Sequence, residues 1–310
     1  MGIYTCTMNP AIDLFIETED MQASKVNRTV SNEIQANGKG VNVSLIMKQL
    51  GLDSTALGFS GGFTGRYISD YLTEQRIANH FVEIAGLTRI NVFTKVNASN
   101  QEFKLVNQGP TVSLEAQELL LNQVKNLTEN DYLIISGSLP RGVDPSILAA
   151  IAKICQEKGV QAVFDVSHAV VLDCLQYQPY LLKPNEEEIA EWFGLEKLSK
   201  EQALLYAKKL IQLGAKNILL SLGADGAMYI AKDLSAWSCN APAGKVVNTA
   251  CSGDTLLGSF LTGLIKKQDT AANLAQSVAA GSSTAFRSGL TDFSDVNALQ
   301  RQIQVKKMEV

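Results

Sequence analysis

Tyr132-Leu133-Ile134-Ile135-Ser136-Gly137-Ser138-Leu139-Pro140 runs from an apolar stretch into a turn of small residues, and a helical pattern over Ser146 to Lys158 and a second apolar stretch over Val160 to Val166 follow it. Short apolar runs bounded by turn residues predict strands buried on both faces. Strand, helix and strand in succession predict parallel neighbours joined by a crossover. The rhythm continues on both sides. Leu114 to Asn126 reads as a helix, Tyr180 to Pro184 as a short strand before helix Glu186 to Phe193, and helix Lys200 to Leu213 leads to strand Lys216 to Leu222. The last third reads as mostly helical, with helices over Asp254 to Lys266, Thr270 to Arg287 and Asp295 to Val305. The expected fold class is α/β, with a mostly parallel central sheet flanked by helices on both faces. Ligands of such sheets sit beyond the carboxyl ends of the strands, where the polar and glycine-rich turns gather.

Two segments break the rhythm. Residues 14–35 and 89–108 are rich in Thr, Val, Ile, Phe and Asn, lack a good helix and flank a βα unit whose helix is Val41 to Leu50. They read as a small β-sheet lid. With no linker-like tract or repeat, residues 1–310 read as a single domain carrying that lid.

Composition narrows the partners. The 310 residues carry a net charge of −4 and are 46% hydrophobic, which suffices for a large core and leaves no basic footprint for nucleic acid or an anionic membrane. No apolar run is long enough for a bilayer, and no signal peptide opens the chain, so a cytoplasmic protein acting on small molecules is expected. Five cysteines without a C-x-x-C pair read as reduced thiols, and two histidines without neighbouring ligands argue against a zinc site.

Cys251-Ser252-Gly253-Asp254-Thr255 opens the apolar helix that follows it. Such a turn presents unpaired amides and the positive end of a helix dipole, a ready site for phosphate. Asp254 would repel a bound phosphate as a mere ligand and makes better sense as a base for an incoming hydroxyl, although Ser252 or Asp254 also suits a plain N-cap. Asn37-Gly38-Lys39-Gly40-Val41-Asn42 is a second small-residue turn opening a helix, with a cation inside it. It fits a phosphorylated or polyhydroxylated ligand, or a tight turn with a surface lysine. Asn9-Pro10-Ala11-Ile12-Asp13 holds a carboxylate after the first strand, for sugar hydroxyls or for an Asx turn. Asn185 and Glu188 share one face of a helix start, where they can hold water-bound magnesium or simply complement the dipole. Ser221-Leu222-Gly223-Ala224-Asp225-Gly226 ends a strand in a glycine turn that a nucleotide can approach.

Together with Lys25-Val26-Asn27-Arg28, Gly137-Ser138-Leu139-Pro140 and Lys183-Pro184-Asn185, these motifs in this order resemble the ribokinase-like sugar kinases of the phosphofructokinase B family, in the branch of 1-phosphofructokinases and tagatose-6-phosphate kinases. The resemblance runs from residue 3 to about residue 290. It implies that Asp254 is the catalytic base and that the amides of Cys251, Ser252 and Gly253 form an anion hole. It places Asp13, Gly38, Lys39 and Asn42, with Ser138, at the sugar, and Lys39, Arg89, Lys104 and Arg28 at the phosphate already on it. Lys183, Asn185, Ser221, Gly223, Gly226 and Gly253 fall on the ATP side, with Mg2+ at Asn185 and Glu188 through water. A homodimer through the lid is also implied, with Arg28 reaching across. Cys251 departs from the family glycine, and introduces strain if that position requires positive φ. The expected activity is ATP-dependent conversion of fructose 1-phosphate to the 1,6-bisphosphate, since the opening motif and Val26-Asn27-Arg28 lean that way. Tagatose-6-phosphate kinase is the alternative, and a non-catalytic sugar-phosphate sensor or a kinase of nucleosides or unphosphorylated sugars ranks below both.

Overall fold

The computed structural model describes residues 1–308. The chain opens with β1 (Ile3–Thr7), β2 (Ala11–Thr18), β3 (Thr29–Asn37), α1 (Lys39–Gln49), β4 (Thr55–Ser60) and α2 (Gly62–Glu74). It continues with β5 (Ala78–Asn79), β6 (Val82–Glu83), β7 (Arg89–Val96), β8 (Gln101–Leu105), α3 (Leu114–Lys125), β9 (Tyr132–Ser136), α4 (Ile147–Lys158) and β10 (Gln161–Asp165). A 3-10 segment, Ala169–Tyr177, leads to β11 (Leu181–Leu182), α5 (Glu186–Trp192), α6 (Lys200–Gln212), β12 (Ile218–Ser221), β13 (Ala227–Ile230) and β14 (Ala236–Cys239). Helices α7 (Ser252–Ile265), α8 (Thr270–Ala285) and α9 (Val296–Gln300) precede β15 (Val305–Met308).

The main sheet has the order β15-β14-β13-β12-β11-β10-β9-β1-β4-β5, with β6 beside β4. Strands from β4 through β12 pair in parallel, and β13 to β15 add an antiparallel edge. Strand alternation sends Leu133, Ile135 and Phe164 into the layer under α3, α4, α5 and α6, and Ile134, Val163 and Leu219 into the layer under α1, α7 and α8. Both faces are therefore apolar, as the uninterrupted runs predict. Local signals set the helix ends: Ser113 caps α3 through Ala116 N–H, Ser199 and Gln202 form a capping box on α6, and α4 stops at Gly159 in the left-handed region. Among the described residues no helix is long and apolar enough to cross a membrane.

The expected last third needs correction. The helix expected over Asp295 to Val305 is only the five-residue α9, and the chain then pairs β15 with β14. Val305 and Met308 are half-buried and Lys306 and Lys307 exposed, and the backbone pairs with the open edge of β14, so edge pairing wins over helix extension. The hairpin β13–β14 and the unit β4–α2 also went unassigned from the sequence.

The second sheet has the order β3-β2-β7-β8, with β2 and β7 parallel. It begins at Ala11, three residues before the expected boundary, so Asp13 lies within a strand and not in the preceding turn. Cross-strand register makes it amphipathic. Ile34, Leu14, Val92 and Leu105 align on one face, and Gln35, Asp13 and Asn91 align on the other. The base of the apolar face, Ile12, Ala36 and Ile90, packs with Ile68 and Leu72 of α2.

Phe260 of α7 is fully buried and lies 4.9 Å, ring centre to ring centre, from Tyr229 of β13. Phe260→Ala is expected to lower stability by about 3–5 kcal/mol, read as a fall in the denaturation midpoint. A midpoint unchanged from the parent would contradict this account of how α7 is anchored.

Candidate active site

At the carboxyl edge of the main sheet the N-terminus of α7 supplies the central group. Asp254 is its third residue and is buried. The N–H groups of Gly253 and Asp254 have no acceptor among the described residues, while Thr255 N–H closes onto Cys251 O at 2.9 Å. These are the free amides that a helix start offers an anion. Asn42 of α1 donates Nδ2 to Asp254 Oδ2 at 2.8 Å. Burial, and then the negative charge of Asp165, raise the Asp254 carboxyl to about 6 against the opposing pull of Lys39, Asn42 and Lys183. A carboxylate so placed is ionised at neutral pH yet basic enough to take a proton.

Cys251 makes the turn with φ of +63°, so the condition for strain is met. Its Sγ lies 3.2 Å from Asn42 Nδ2, which also faces Asn37 Oδ1 at 2.8 Å. Two amide hydrogens thus meet three acceptors. Burial, followed by the charges of Asp254 and Asp13, pushes the thiol up to about 12, which removes the thiolate that oxidation requires.

Two lysines flank this turn. Lys39, in the first turn of α1, and Lys183, just after β11, both meet Asp165 Oδ1, at 3.3 and 2.9 Å. Burial works against the charge of Lys39, but Asp165, Asp254 and Glu188 outweigh it and raise its pKa. A Cβ on Gly253 would stand 3.4 Å from Lys183 Nζ, which places that ammonium beside the helix start. Lys39 is thus ion-paired within the site, beyond a tight turn with a surface lysine. Gly38, at φ +149°, is required because a Cβ there would lie 2.7 Å from Thr7 Cγ2.

A polar cluster lies under the small sheet. Asp13 accepts from Asn37 Nδ2 and, at 2.8 Å, from Asn91 Nδ2. Burial raises its carboxyl, opposed by those amides and by Arg89. Arg89 donates to Asn9 O at 2.9 Å and Asn107 O at 3.1 Å, and its buried Nε has no partner. Asn9 Nδ2 donates to Ser138 Oγ at 3.2 Å. Asp13, Asn37, Asn42 and Cys251 line one end of a cleft of about 420 Å³ that extends past Ile34 and along α1 to Tyr71 and Gln75 by the end of α2.

On the other side of Lys183, Asn185 and Glu188 form a reciprocal capping box: Glu188 N–H reaches Asn185 Oδ1 at 2.7 Å and Asn185 N–H reaches Glu188 Oε2 at 2.9 Å. The helix-start reading therefore holds for both residues. One Glu188 oxygen stays outside the box, and among the described residues no group of three or more His, Cys, Asp or Glu is placed to hold a metal. The donor set fits magnesium only as an ion that keeps most of its water. Ser221 bridges to Asn185 across the sheet edge. The turn after it bends at Gly226, where a Cβ would fall 2.0 Å from Cys239 O, while the space over Gly223 is open.

The structure thus gathers Asp254, Gly253, Ser252, Cys251, Gly38, Lys39, Asn42, Lys183 and Asp13 at one edge, with Arg89 and Ser138 on one flank and Asn185, Glu188, Ser221, Gly223 and Gly226 on the other. Two expected residues stand apart. Lys104 shares the polar face but sits exposed on edge strand β8, 3.7 Å from Glu102, and Arg28 is exposed in the β2–β3 connection. Three residues went unassigned: Asn37 lay inside a quoted motif, whereas Asn91 and Asp165 become visible only through strand pairing. Cys251→Gly is expected to fold with stability equal or higher by about 1 kcal/mol, and iodoacetamide at neutral pH is expected to leave native turnover intact. Inactivation as fast as alkylation of a free thiol would contradict the thiol assignment.

Comparison with known proteins places the chain among carbohydrate kinases. The profile of the "pfkB family carbohydrate kinase" matches residues 6–297. The chain is 44% identical over 308 residues to a D-tagatose-1-phosphate kinase of Bacillus licheniformis, covering 98% of this chain and 99% of the relative. It is 35% identical over 306 residues to the 1-phosphofructokinase of Bacillus subtilis, covering 99% and 100%. The crystal structure of phosphofructokinase-2 from Escherichia coli in complex with fructose-6-phosphate superposes with a TM-score of 0.87 at 26% identity, covering 97% of this chain and 98% of that one. A buried carboxylate at an anion-receptive helix start, a matching profile over most of the chain and full-length relatives lead to one conclusion: the chain belongs to the pfkB family of carbohydrate kinases.

Proposed function

We propose that the protein transfers the terminal phosphoryl group of ATP to the 6-hydroxyl of a ketohexose 1-phosphate, giving the 1,6-bisphosphate. The observation that carries this reading is Asp254, a buried carboxylate raised to about 6, placed next to unpaired amides and two ammonium groups. Asp254 takes the hydroxyl proton as the sugar oxygen bonds to the γ-phosphorus and the bond to the ADP oxygen breaks. The Gly253 amide, Lys183 and Lys39 oppose the charge on the transferred group, the electrostatic positioning on which phosphoryl transfer depends. Asp13, held by Asn37 and Asn91, accepts from sugar hydroxyls, and Arg89 favours an anionic sugar. Glu188 and Asn185 would hold magnesium through water, and the ion would neutralise charge on the nucleotide phosphates.

The 1-phosphate reading follows the names of the relatives. Tagatose 1-phosphate takes first place because relatives at 44% and 37% identity carry that substrate in their names, and fructose 1-phosphate, the first reading from sequence, stands second on relatives at 35% and 34%. Both sugars offer the same phosphate and the same free 6-hydroxyl and differ only at C4. The tagatose alternative drawn from the sequence placed the phosphate at position 6, where the acceptor would be the 1-hydroxyl.

The small sheet acts as a lid in this reading, its polar face over the sugar. Its other face exposes Ile34, Phe103 and Leu105 by 51%, 44% and 63%, a cluster of apolar side chains on one sheet face. A second copy of the lid would cover it, and phosphofructokinase-2 from Escherichia coli has a tetrameric inhibited form. Light scattering is expected to give a dimer that Leu105→Lys dissociates. A monomer of full activity would contradict this pairing.

Asp254→Asn is expected to lower kcat by orders of magnitude with sugar binding largely intact, and kcat/KM of the parent enzyme is expected to fall on the acid side near pH 6. Assay of fructose 1-phosphate, tagatose 1-phosphate and tagatose 6-phosphate with ATP ranks the substrates by kcat/KM. Near-normal turnover in Asp254→Asn, or preference for the 6-phosphate, would overturn the proposal.

A further inference from the structure

Asp165 has no role in the mechanism so far. It ends β10, is fully buried, and meets Lys39 and Lys183 through the same oxygen, Oδ1. Its Oδ2 is buried with no hydrogen-bond partner. A carboxylate with one oxygen unsatisfied is a poor device for stability alone, because a buried ion pair barely repays its desolvation and an orphaned oxygen adds to the debit. The arrangement does achieve convergence. Lys39 comes from the first turn of α1 and Lys183 from the segment after β11, and two ammonium groups brought to one point repel unless an anion lies between them.

We propose that Asp165 is a positioning residue for phosphoryl transfer: by sharing one oxygen between Lys39 and Lys183 it fixes both ammonium groups beside the Cys251–Gly253 turn, where the transferred group passes. The proposal rests on the reading of Asp254 as base. The two ends of the array are coupled through space. Cys251 from the turn, Asn42 and Lys39 from α1, Asp165 from β10 and Lys183 after β11 all face Asp254. After burial, Asp165 is the group that raises Asp254, while Lys39 and Lys183 lower it. Loss of the Asp165 charge therefore lowers the Asp254 pKa, and loss of the Lys39 charge raises it.

The experiment is the pH profile of kcat/KM for the parent enzyme and for Asp165→Asn, Lys39→Met and Asp254→Asn, with folding followed by circular dichroism. Asp165→Asn is expected to lose about 100-fold in kcat and to move the acid limb to lower pH. Lys39→Met is expected to lose activity and to move the limb to higher pH. It keeps the Asp165–Lys183 pair, and where Asp165→Asn does not fold, Asp165→Glu, which keeps the charge but displaces the shared oxygen, is expected to lower kcat with the limb in place, parent-like kcat there overturning the proposal. A purely structural Asp165 would lower the denaturation midpoint and move the limb through its lost charge alone, while kcat of folded Asp165→Asn above the limb stayed parent-like. Parent-like limbs in both variants, or parent-like turnover in Asp165→Asn, would overturn the proposal while an inactive Asp254→Asn keeps the base assignment. An active Asp254→Asn would instead remove the reading beneath it.

Discussion

Within the first three residues of α7, unpaired amides that attract an anion adjoin a buried carboxylate that repels one. Everything at the carboxyl edge of the sheet follows from holding these two together. Asn42 ties one Asp254 oxygen, Lys39 and Lys183 offset its charge, and Asp165 keeps the lysines from repelling each other. None of these groups is near Asp254 in sequence. They meet because β1, β10 and β11 run parallel in one sheet and end on the same side, with α1 and α7 packed on one face. The fold is therefore the means by which Asp165 and two lysines are paired and brought to act on the charge of Asp254.

The small sheet solves a different problem. A phosphoryl acceptor has to be shielded from water, which otherwise competes for the phosphoryl group, but it also has to enter and leave. A period of two along β2, β3, β7 and β8 gives one polar face, which carries Asp13 and Asn91, and one apolar face that the body covers only at its base. Such a sheet is half-built when alone, which is the physical reason for expecting a second copy.

Legibility from the sequence followed the range of the interactions. Asp254, the Gly38-Lys39-Gly40 turn and the Asn185/Glu188 pair were readable because each motif is contiguous and its backbone conformation is set by neighbouring small residues. The parallel sheet was readable because buried strands such as Leu133–Ile135 are uniformly apolar. Asp165 was not, since a lone Asp at a strand end signals nothing until β10 is seen beside β9 and β11. Asn91 was hidden likewise, brought to Asp13 by a parallel pairing across 78 positions. Strand β15 was misjudged because its identity depends on the open edge of β14. The capping box at Asn185 shows the converse: the dull reading and the ligand reading occupied the same residues, and the geometry supplies the first directly.

The role of Asp254 as base is tested most directly by a crystal structure of the enzyme with the sugar 1-phosphate and a non-hydrolysable ATP analogue. The acceptor 6-hydroxyl is expected within hydrogen-bond reach, about 3 Å, of the Asp254 carboxylate, with the terminal phosphoryl group against the Gly253 amide and both lysines. A ternary complex with the acceptor hydroxyl turned toward Asp13 or solvent, and the phosphoryl group away from the α7 turn, would contradict it.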